Sequence, residues 1–382
     1  MKPSIVLRPP RRRRRTSLWI RLVRWLLAAP GLALLVFALL GVLRPLPLLP
    51  PPATRELRGI WHVHTTRSDG RGSPTDVARA ARADGLDFVV LTDHNPRELP
   101  TPALEEGVLL VAGEESSTPF GHLVDVGGRR PLVDAEKVRA PVRAAEEQGA
   151  LTVISHPRHT QRGWTDLAQA RGARGVEVWS GDSAWDALRR RPLTRLLPAL
   201  GTALSNPERA MVFALAEAEP VADWMLQLDG TEPKLAFCGT DAHGWPGYAT
   251  AFRWMSVHLT ALAALPAPPA EGGQAVVQEL AAGRFYCAVD ALAPAAGFSV
   301  LPANRRVFQV GEVLEVRLPP SRPPRTRLKI HGPGRAVDAT HVRLEAPGEV
   351  LLEVQVETPG LGLGDVSWPW LLGQPVKVEA AR

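Results

Sequence analysis

Leu57-Arg58-Gly59-Ile60-Trp61-His62-Val63-His64 is a short, mostly apolar run that ends in two histidines one residue apart. Leu57–Val63 predicts a strand, and the alternation of side chains along a strand turns both imidazoles to the same side. The design recurs. Asp87–Leu91 runs into Thr92-Asp93-His94, and Lys234–Gly239 runs into Thr240-Asp241-Ala242-His243, whose acid and histidine keep the spacing of His62 and His64. Between them stand Ser68-Asp69-Gly70, then Gly113-Glu114-Glu115 after Val108–Ala112, then Gly121-His122-Leu123, and Ser155-His156-Pro157 after Ala150–Ile154. Six of the ten histidines fall in these clusters. Imidazoles and carboxylates are ligands for Zn, Mn or Fe, and strand ends far apart in sequence converge in space. One H-x-H or one SDG turn says little; four strand ends that present ligand-type residues predict a metal site.

Working outward, Gly175–Trp179 and His122–Val126 complete a set of strands that alternate with helices. Pro74–Asp84 opens after Ser73 as N-cap, carries Pro74 at the first helical position and stops at Gly85. Pro141–Gln148, Ala184–Leu200 and Ala210–Asp229 are further helix candidates. Such alternation predicts parallel β/α units, and seven or more of them suggest a closed barrel. After about residue 292 helical periodicity disappears. Phe298–Leu301, Val313–Leu318, Arg327–His331, Val342–Glu345 and Glu349–Val356 are short, β-rich and divided by Pro/Gly turns, which predicts a small sandwich-like β domain.

The net charge of +6 belongs to one end of the chain. Residues 1–55 hold eleven Lys/Arg and no acid, leaving 34 basic against 39 acidic residues beyond them. The folded part is therefore net acidic, which argues against nucleic acid as a partner. Trp25–Leu43 is free of charge for 19 residues, about 28 Å of helix, close to the thickness of a bilayer core. The arginine run 11–15, with Arg21 and Arg24, places the N-terminus in the cytoplasm and the remainder outside. A signal anchor is the preferred reading; a cleaved signal peptide would give a secreted protein. The expected organisation is a basic arm (1–24), a transmembrane segment (25–43), a Pro-rich spacer (44–55), a catalytic α/β unit (56–292) and a β-rich unit (293–382). Cys238 and Cys287 read as small buried strand residues, or as one bridge if the compartment is oxidising.

In this order, H-x-H, SDG, TDH, GEE, GHL, SHP and GTDAH resemble the PHP (polymerase and histidinol phosphatase) superfamily of metallohydrolases over about residues 56–290. The N-terminal membrane segment, the β-rich tail and the ending Trp368-Pro369-Trp370 with Gln374-Pro375 resemble its CehA/McbA-type branch, with Gln374 in place of the usual Asn. The resemblance implies a distorted (β/α)7 barrel with two or three divalent metals. It implies His62, His64, Glu114 and Asp241 as ligands of a first metal, with Glu114 bridging to a second held by His122 and His156. Asp69, His94 and His243 would take the third.

Such ions supply a bridging hydroxide near neutral pH and act as Lewis acids on a phosphoryl or carbonyl oxygen. No Ser or Cys nucleophile is needed. The expected activity is an extracytoplasmic phosphoesterase on small phosphomonoesters or phosphodiesters. The alternatives are a carbamate, ester or amide hydrolase on the same site, and a non-catalytic membrane-tethered metal-binding module. Around the ligands, Arg158 is a candidate for a substrate phosphate. Asp93 either orients a neighbouring histidine or caps a turn, Glu115 either orients a histidine or points away, His159 reads as a loop residue, and Glu177 either faces the site or sits in a structural pair.

Overall fold

A computed structural model describes residues 18–43, 56–205, 207–216, 220–228, 233–303, 305–358 and 366–381. The five-arginine run and the Pro-rich spacer lie outside the described residues. The first helix, α1 (Leu18–Leu43), is long and apolar enough to cross a membrane, with Leu18–Leu39 as the candidate span.

The strands expected from the sequence form, and two beyond that expectation, Ala103–Glu105 and Ser256–Leu259, join them. In chain order they are β1 (Leu57–Val63), β2 (Phe88–Leu91), β3 (Ala103–Glu105), β4 (Val108–Thr118) and β5 (Gly121–Val126). They continue with β6 (Leu151–Ile154), β7 (Gly175–Ser180), β8 (Leu235–Gly239), β9 (Ser256–Leu259) and β10 (Phe285–Ala288). The hydrogen-bonded order β1-β2-β4-β5-β6-β7-β8 curls on itself. Just past β8 the chain bonds back to β1: Thr240 N–H donates to Trp61 O (3.2 Å), Ala242 N–H to His62 O (3.3 Å) and His64 N–H to Ala242 O (3.0 Å). First and last strands of the ring therefore touch at their C-terminal ends. The pattern is less regular than an all-parallel alternation. β5 runs antiparallel to both neighbours, because β4 turns directly into it as a hairpin.

The interior is a ladder of aromatic and branched residues. Trp61, Phe237 and Phe285 stack in sequence, with centroids 4.5 and 4.7 Å apart. Each is buried and contributes about 1.5–3 kcal/mol by leaving water. On the other face of β1 and β2, α2 (Pro74–Ala83) lays Val77, Ala78 and Ala81 against Ile60, Val89 and Leu110. Ser73 and Asp76 close its first turn as a capping box.

Helices α3 (Pro141–Glu146) and α4 (Leu167–Gly172) are short. The long helix expected over Ala184–Leu200 is divided into α5 (Gly181–Arg190), a π-helical turn at Pro192–Leu196 and α6 (Leu197–Ser205). The helix expected over Ala210–Asp229 is divided as well, into α7 (Pro207–Ala216), which starts earlier, and a four-residue helix at Ala222–Met225. Pro192 and Pro207 explain the breaks after α5 and after α6, since each lacks the N–H that would continue the preceding helix.

The C-terminal strands are β11 (Ser299–Leu301), β12 (Val307–Gln309), β13 (Val313–Arg317), β14 (Thr326–His331), β15 (Gly334–Ala336), β16 (His341–Leu344), β17 (Gly348–Thr358), β18 (Val366–Leu372) and β19 (Val376–Glu379). One four-stranded sheet, β11-β13-β16-β15, buries Leu314, Val316, Val342 and Leu344 in the same core as Val350, Leu352 and Val354 of β17. The other strands are continuous with the sheet that contains β1 and β10. β18 pairs antiparallel with β10, joining Cys287 to Leu372 and Ala288 to Leu371. Cys238 and Cys287 are disulfide-bonded between β8 and β10.

Candidate metal centre

The rim where β1, β2, β4, β6 and β8 end gathers the histidine-acid clusters into one pocket. Its floor is buried: His62, His64 and His156 have no exposed surface, and the side chains of Glu115 and Asp241 are 1% and 3% exposed. Its mouth is open, with Asp69 56% and His243 29% exposed. His62 Nε2 and His64 Nε2 lie 3.1 Å apart. Asp241 Oδ1 stands 3.3 and 3.1 Å from them.

Glu115 sits at the centre. Its Oε2 lies 3.3 Å from each of His62 Nε2, His64 Nε2 and His94 Nδ1. Its Oε1 faces the opposite side, 3.1 Å from His122 Nδ1 and 3.0 Å from His156 Nε2. At the mouth Asp69 approaches His243 Nε2 (3.2 Å), His64 Nδ1 (3.6 Å) and His94 Nε2 (3.8 Å). The donor atoms fall into overlapping groups: His62, His64, Glu115 and Asp241; His94, Glu115 and His122; His64, Asp69, His94 and His243; and His156, Asp182 and Asp241.

Glu114, expected as the shared carboxylate, is placed elsewhere. Its Oε1 accepts from Leu132 N–H at 2.6 Å, and its neighbour is Asp125 on β5. Burial pushes both carboxyls up, and for Asp125 the nearby Glu114 adds to it. Successive residues of β4 point to opposite faces, so only one of the adjacent glutamates can enter the pocket, and it is Glu115. Arg158 is exposed on the loop after β6. Arg162 also lies next to the pocket, held by Asp182 at 2.8 Å.

Asp182 was not singled out in the sequence. Ser180-Gly181-Asp182 is the start of α5, with Ser180 capping it, and a helix-opening acid has an ordinary explanation. Gly181 sits so close to Thr240 that an added Cβ would be 2.1 Å from its carbonyl oxygen; this contact draws the start of α5 against the Thr240–His243 segment.

A second layer of bonds aims the ligand atoms. Glu177 Oε1 lies 2.6 Å from His62 Nδ1 and accepts from Trp61 Nε1 at 3.0 Å, while its Oε2 accepts from His156 N–H at 3.0 Å. A carboxylate can only accept, so His62 carries its proton on Nδ1 and turns the Nε2 lone pair into the pocket. His243 Nδ1 donates to Asp241 O in the same way. Of the two roles open to Asp93, the structure shows turn capping rather than orientation of a histidine. Asp93 accepts from Thr65 N–H, Thr65 Oγ1 and Ser68 Oγ, at 2.7–2.8 Å, and so shapes the loop that presents Asp69. His159 is a buried loop residue beside Asp182 (3.3 Å).

Electrostatics and strain mark the same residues. Burial opposes ionisation of Glu115, but His62 foremost, with His122 and His156, overrides it and holds Glu115 well below the usual carboxylate range. Asp241 is lowered likewise, by His62 and His64 against burial. Burial works against a charged His64, yet Asp241 and Glu115 raise it to about 9. The pocket thus concentrates negative charge that demands positive charge, from protons or from metal ions.

The donors fit metal ions. His64 Nδ1, His94 Nδ1, His156 Nδ1 and Asp241 Oδ1 are buried without a hydrogen-bond partner, an arrangement that native interiors avoid. His62, His156 and Asp241 also adopt positive φ (68°, 28° and 50°), three of the six non-glycine cases among the described residues. Such backbone costs about 1–3 kcal/mol per residue and collects at functional sites.

No family model matches the chain. An uncharacterized protein of Methanocaldococcus jannaschii is 26% identical over 141 residues, which is 31% of this chain and 79% of that protein. Among solved structures, a two-domain protein from Bacteroides vulgatus, described as containing a predicted PHP-like metal-dependent phosphoesterase, aligns at 16% identity over 85% of this chain and 98% of its own, with a TM-score of 0.38. PsfC from Pseudomonas syringae aligns at 14% over 59% of this chain and 97% of its own (TM-score 0.35). A protein from Bifidobacterium adolescentis, described as a putative metal-dependent phosphoesterase, aligns at 17% over 51% and 90% (TM-score 0.29).

Proposed function

We propose that this chain is a metal-dependent hydrolase of the PHP type, a phosphoesterase held by α1 at the outer face of the cytoplasmic membrane. The observation that carries the enzymatic reading is the divided Glu115 carboxylate, one oxygen among His62, His64 and His94 and the other between His122 and His156. A carboxylate so shared, with Asp241 on the first side, is the donor arrangement for a pair of adjacent divalent cations. His64, Asp69, His94 and His243 would hold a third at the mouth. When bound, the cations supply Lewis acidity and a water acidic enough to react near neutral pH.

The rest of the chemistry belongs to the chain. Glu177 fixes the His62 tautomer. Asp182 pins Arg162 at the pocket, where its guanidinium is placed to pair with the oxygens of an anionic substrate. This cation and the order of the motifs favour a phosphate ester over a carbamate. The outer location is supported by the apolar length of α1 and by the Cys238–Cys287 disulfide, which suits an oxidising compartment.

The test compares the purified full chain with Glu115→Gln and Glu114→Gln, by elemental analysis and by turnover of chromogenic phosphate esters and aryl carbamates. Glu115→Gln is expected to lose bound metal and about 100-fold or more of phosphate-ester turnover, with Glu114→Gln retaining both. The reverse order would overturn the assignment of Glu115. Carbamate turnover without phosphate turnover would overturn the phosphoesterase reading.

A further inference from the structure

Helix α6 is out of place on a water-soluble surface. Residues 196–206, Leu-Leu-Pro-Ala-Leu-Gly-Thr-Ala-Leu-Ser-Asn, carry no charge, and Leu193, Leu200 and Leu204 around them are 80%, 42% and 72% exposed. What covers the other side of α6 is α1. The two helices pack together, and at Gly201 they approach so closely that an added Cβ would lie 2.3 Å from Phe37 Cβ and 3.1 Å from Leu34 O. Small residues permit such approach between helices in lipid. On α1, Ala33, Leu34, Phe37 and Ala38 are half-buried, while Leu32, Leu35, Val36 and Leu39 around them are exposed.

The position of this contact is informative. Phe37 and Leu34 precede the end of α1 at Leu43 by six and nine residues, roughly 9 and 14 Å along the helix axis. If α1 spans the bilayer with Leu43 outward, α6 lies at the depth of the outer acyl chains. Immediately before it come Arg189, Arg190 and Arg191, all exposed, at the level where phosphate headgroups would meet them; arginine stems reach such an interface readily.

We propose that α6, with Leu193 on the turn before it, is a second membrane element, a half-buried helix that enters the outer leaflet beside α1, with Arg195 and the arginines at its base at the level of the lipid phosphates. The inference rests on α1 being a membrane span. Since α5 runs from Asp182 at the pocket to these arginines, it also sets the metal centre about one ten-residue helix, roughly 15 Å, from the headgroup layer.

The test uses the full chain reconstituted in phosphatidylcholine–phosphatidylglycerol vesicles that contain doxyl-labelled phosphatidylcholine. Single cysteines at Leu193→Cys, Leu204→Cys, Leu27→Cys on α1 and Val133→Cys, exposed on a distant loop, are labelled with bimane; Cys238 and Cys287 are bonded to each other. Lipid quenching of Leu193→Cys and Leu204→Cys comparable to that of Leu27→Cys, with none at Val133→Cys, is expected. Quenching at Leu27→Cys alone overturns the inference and leaves the anchor standing. So does a Leu204→Cys label that is shielded from aqueous quencher yet untouched by lipid quencher, which would indicate a protein neighbour. No quenching at Leu27→Cys overturns the anchor itself, and the inference with it.

Discussion

Glu177→Gln tests whether the pocket is aimed as its hydrogen bonds indicate. The substitution keeps size and shape and replaces one carboxylate oxygen by NH2. In the wild type, Oε1 serves His62 Nδ1 and Trp61 Nε1, and Oε2 serves the His156 N–H. If the amide keeps its oxygen toward His62 and Trp61, its NH2 faces the His156 N–H, donor to donor. If it flips, two bonds are lost instead of one. The better case leaves one buried N–H without an acceptor, about 1–3 kcal/mol. If that cost falls on the metal-bound state, through the His156 backbone and the His62 ring it holds, it equals about 5- to 150-fold in metal affinity, in the range seen when residues behind metal ligands are changed. Competition titration with a chromophoric chelator measures it, with circular dichroism to show the fold intact. Affinity within about twofold of wild type, in a folded protein, would refute the role given to Glu177.

Gly239→Ala should be more severe than its size suggests, because the new methyl would stand 2.2 Å from Glu177 Oε1; weaker metal binding and a lowered Tm are expected, and wild-type values for both would contradict the packing. Replacing Cys238 and Cys287 by serine should lower stability by about 2–4 kcal/mol, since the bridge closes a separation of 49 residues; an unchanged denaturation midpoint would show that it contributes nothing. Burial pushes Glu349 up to about 7 despite Lys234 and Arg306 nearby. A carboxyl whose folded-state pKa is raised stabilises the protein below its ordinary value of 4.5, and that contribution is lost as pH rises through 7. Glu349→Gln should therefore flatten the decline in urea midpoint between pH 5 and pH 8, and an equally steep decline in the variant would refute the assignment.

Much of this was legible in the sequence because the informative residues lie next to strong local signals. The apolar runs before His62, His94, His156 and Asp241 form strands, and these four residues meet at one rim. The choice between Glu114 and Glu115 was not legible. β4 is buried on both faces, so its sequence lacks the polar–apolar alternation that reveals which way a side chain points. Asp182 was hidden by its double role as an ordinary first-turn helix acid, and Arg162 depends on Asp182 for its position. The splitting of the helix expected over Ala184–Leu200 follows from Pro192. Its exposed leucines gain meaning only from the packing of the opposite side of α6 on α1, a contact between segments more than 150 residues apart.

The pairing of β18 with β10 has a kinetic consequence. Leu371 and Leu372 hydrogen-bond to strand residues that precede them by more than eighty positions, and Val289 N–H donates to Trp370 O. Until β18 has been synthesised and delivered, the edge of β10 away from β9 stays unpaired, a template for wrong partners. Distant pairing of this kind also slows folding. The metal-binding half therefore cannot finish closing its sheet on its own schedule: its final strand partner is made more than eighty residues after the edge it covers.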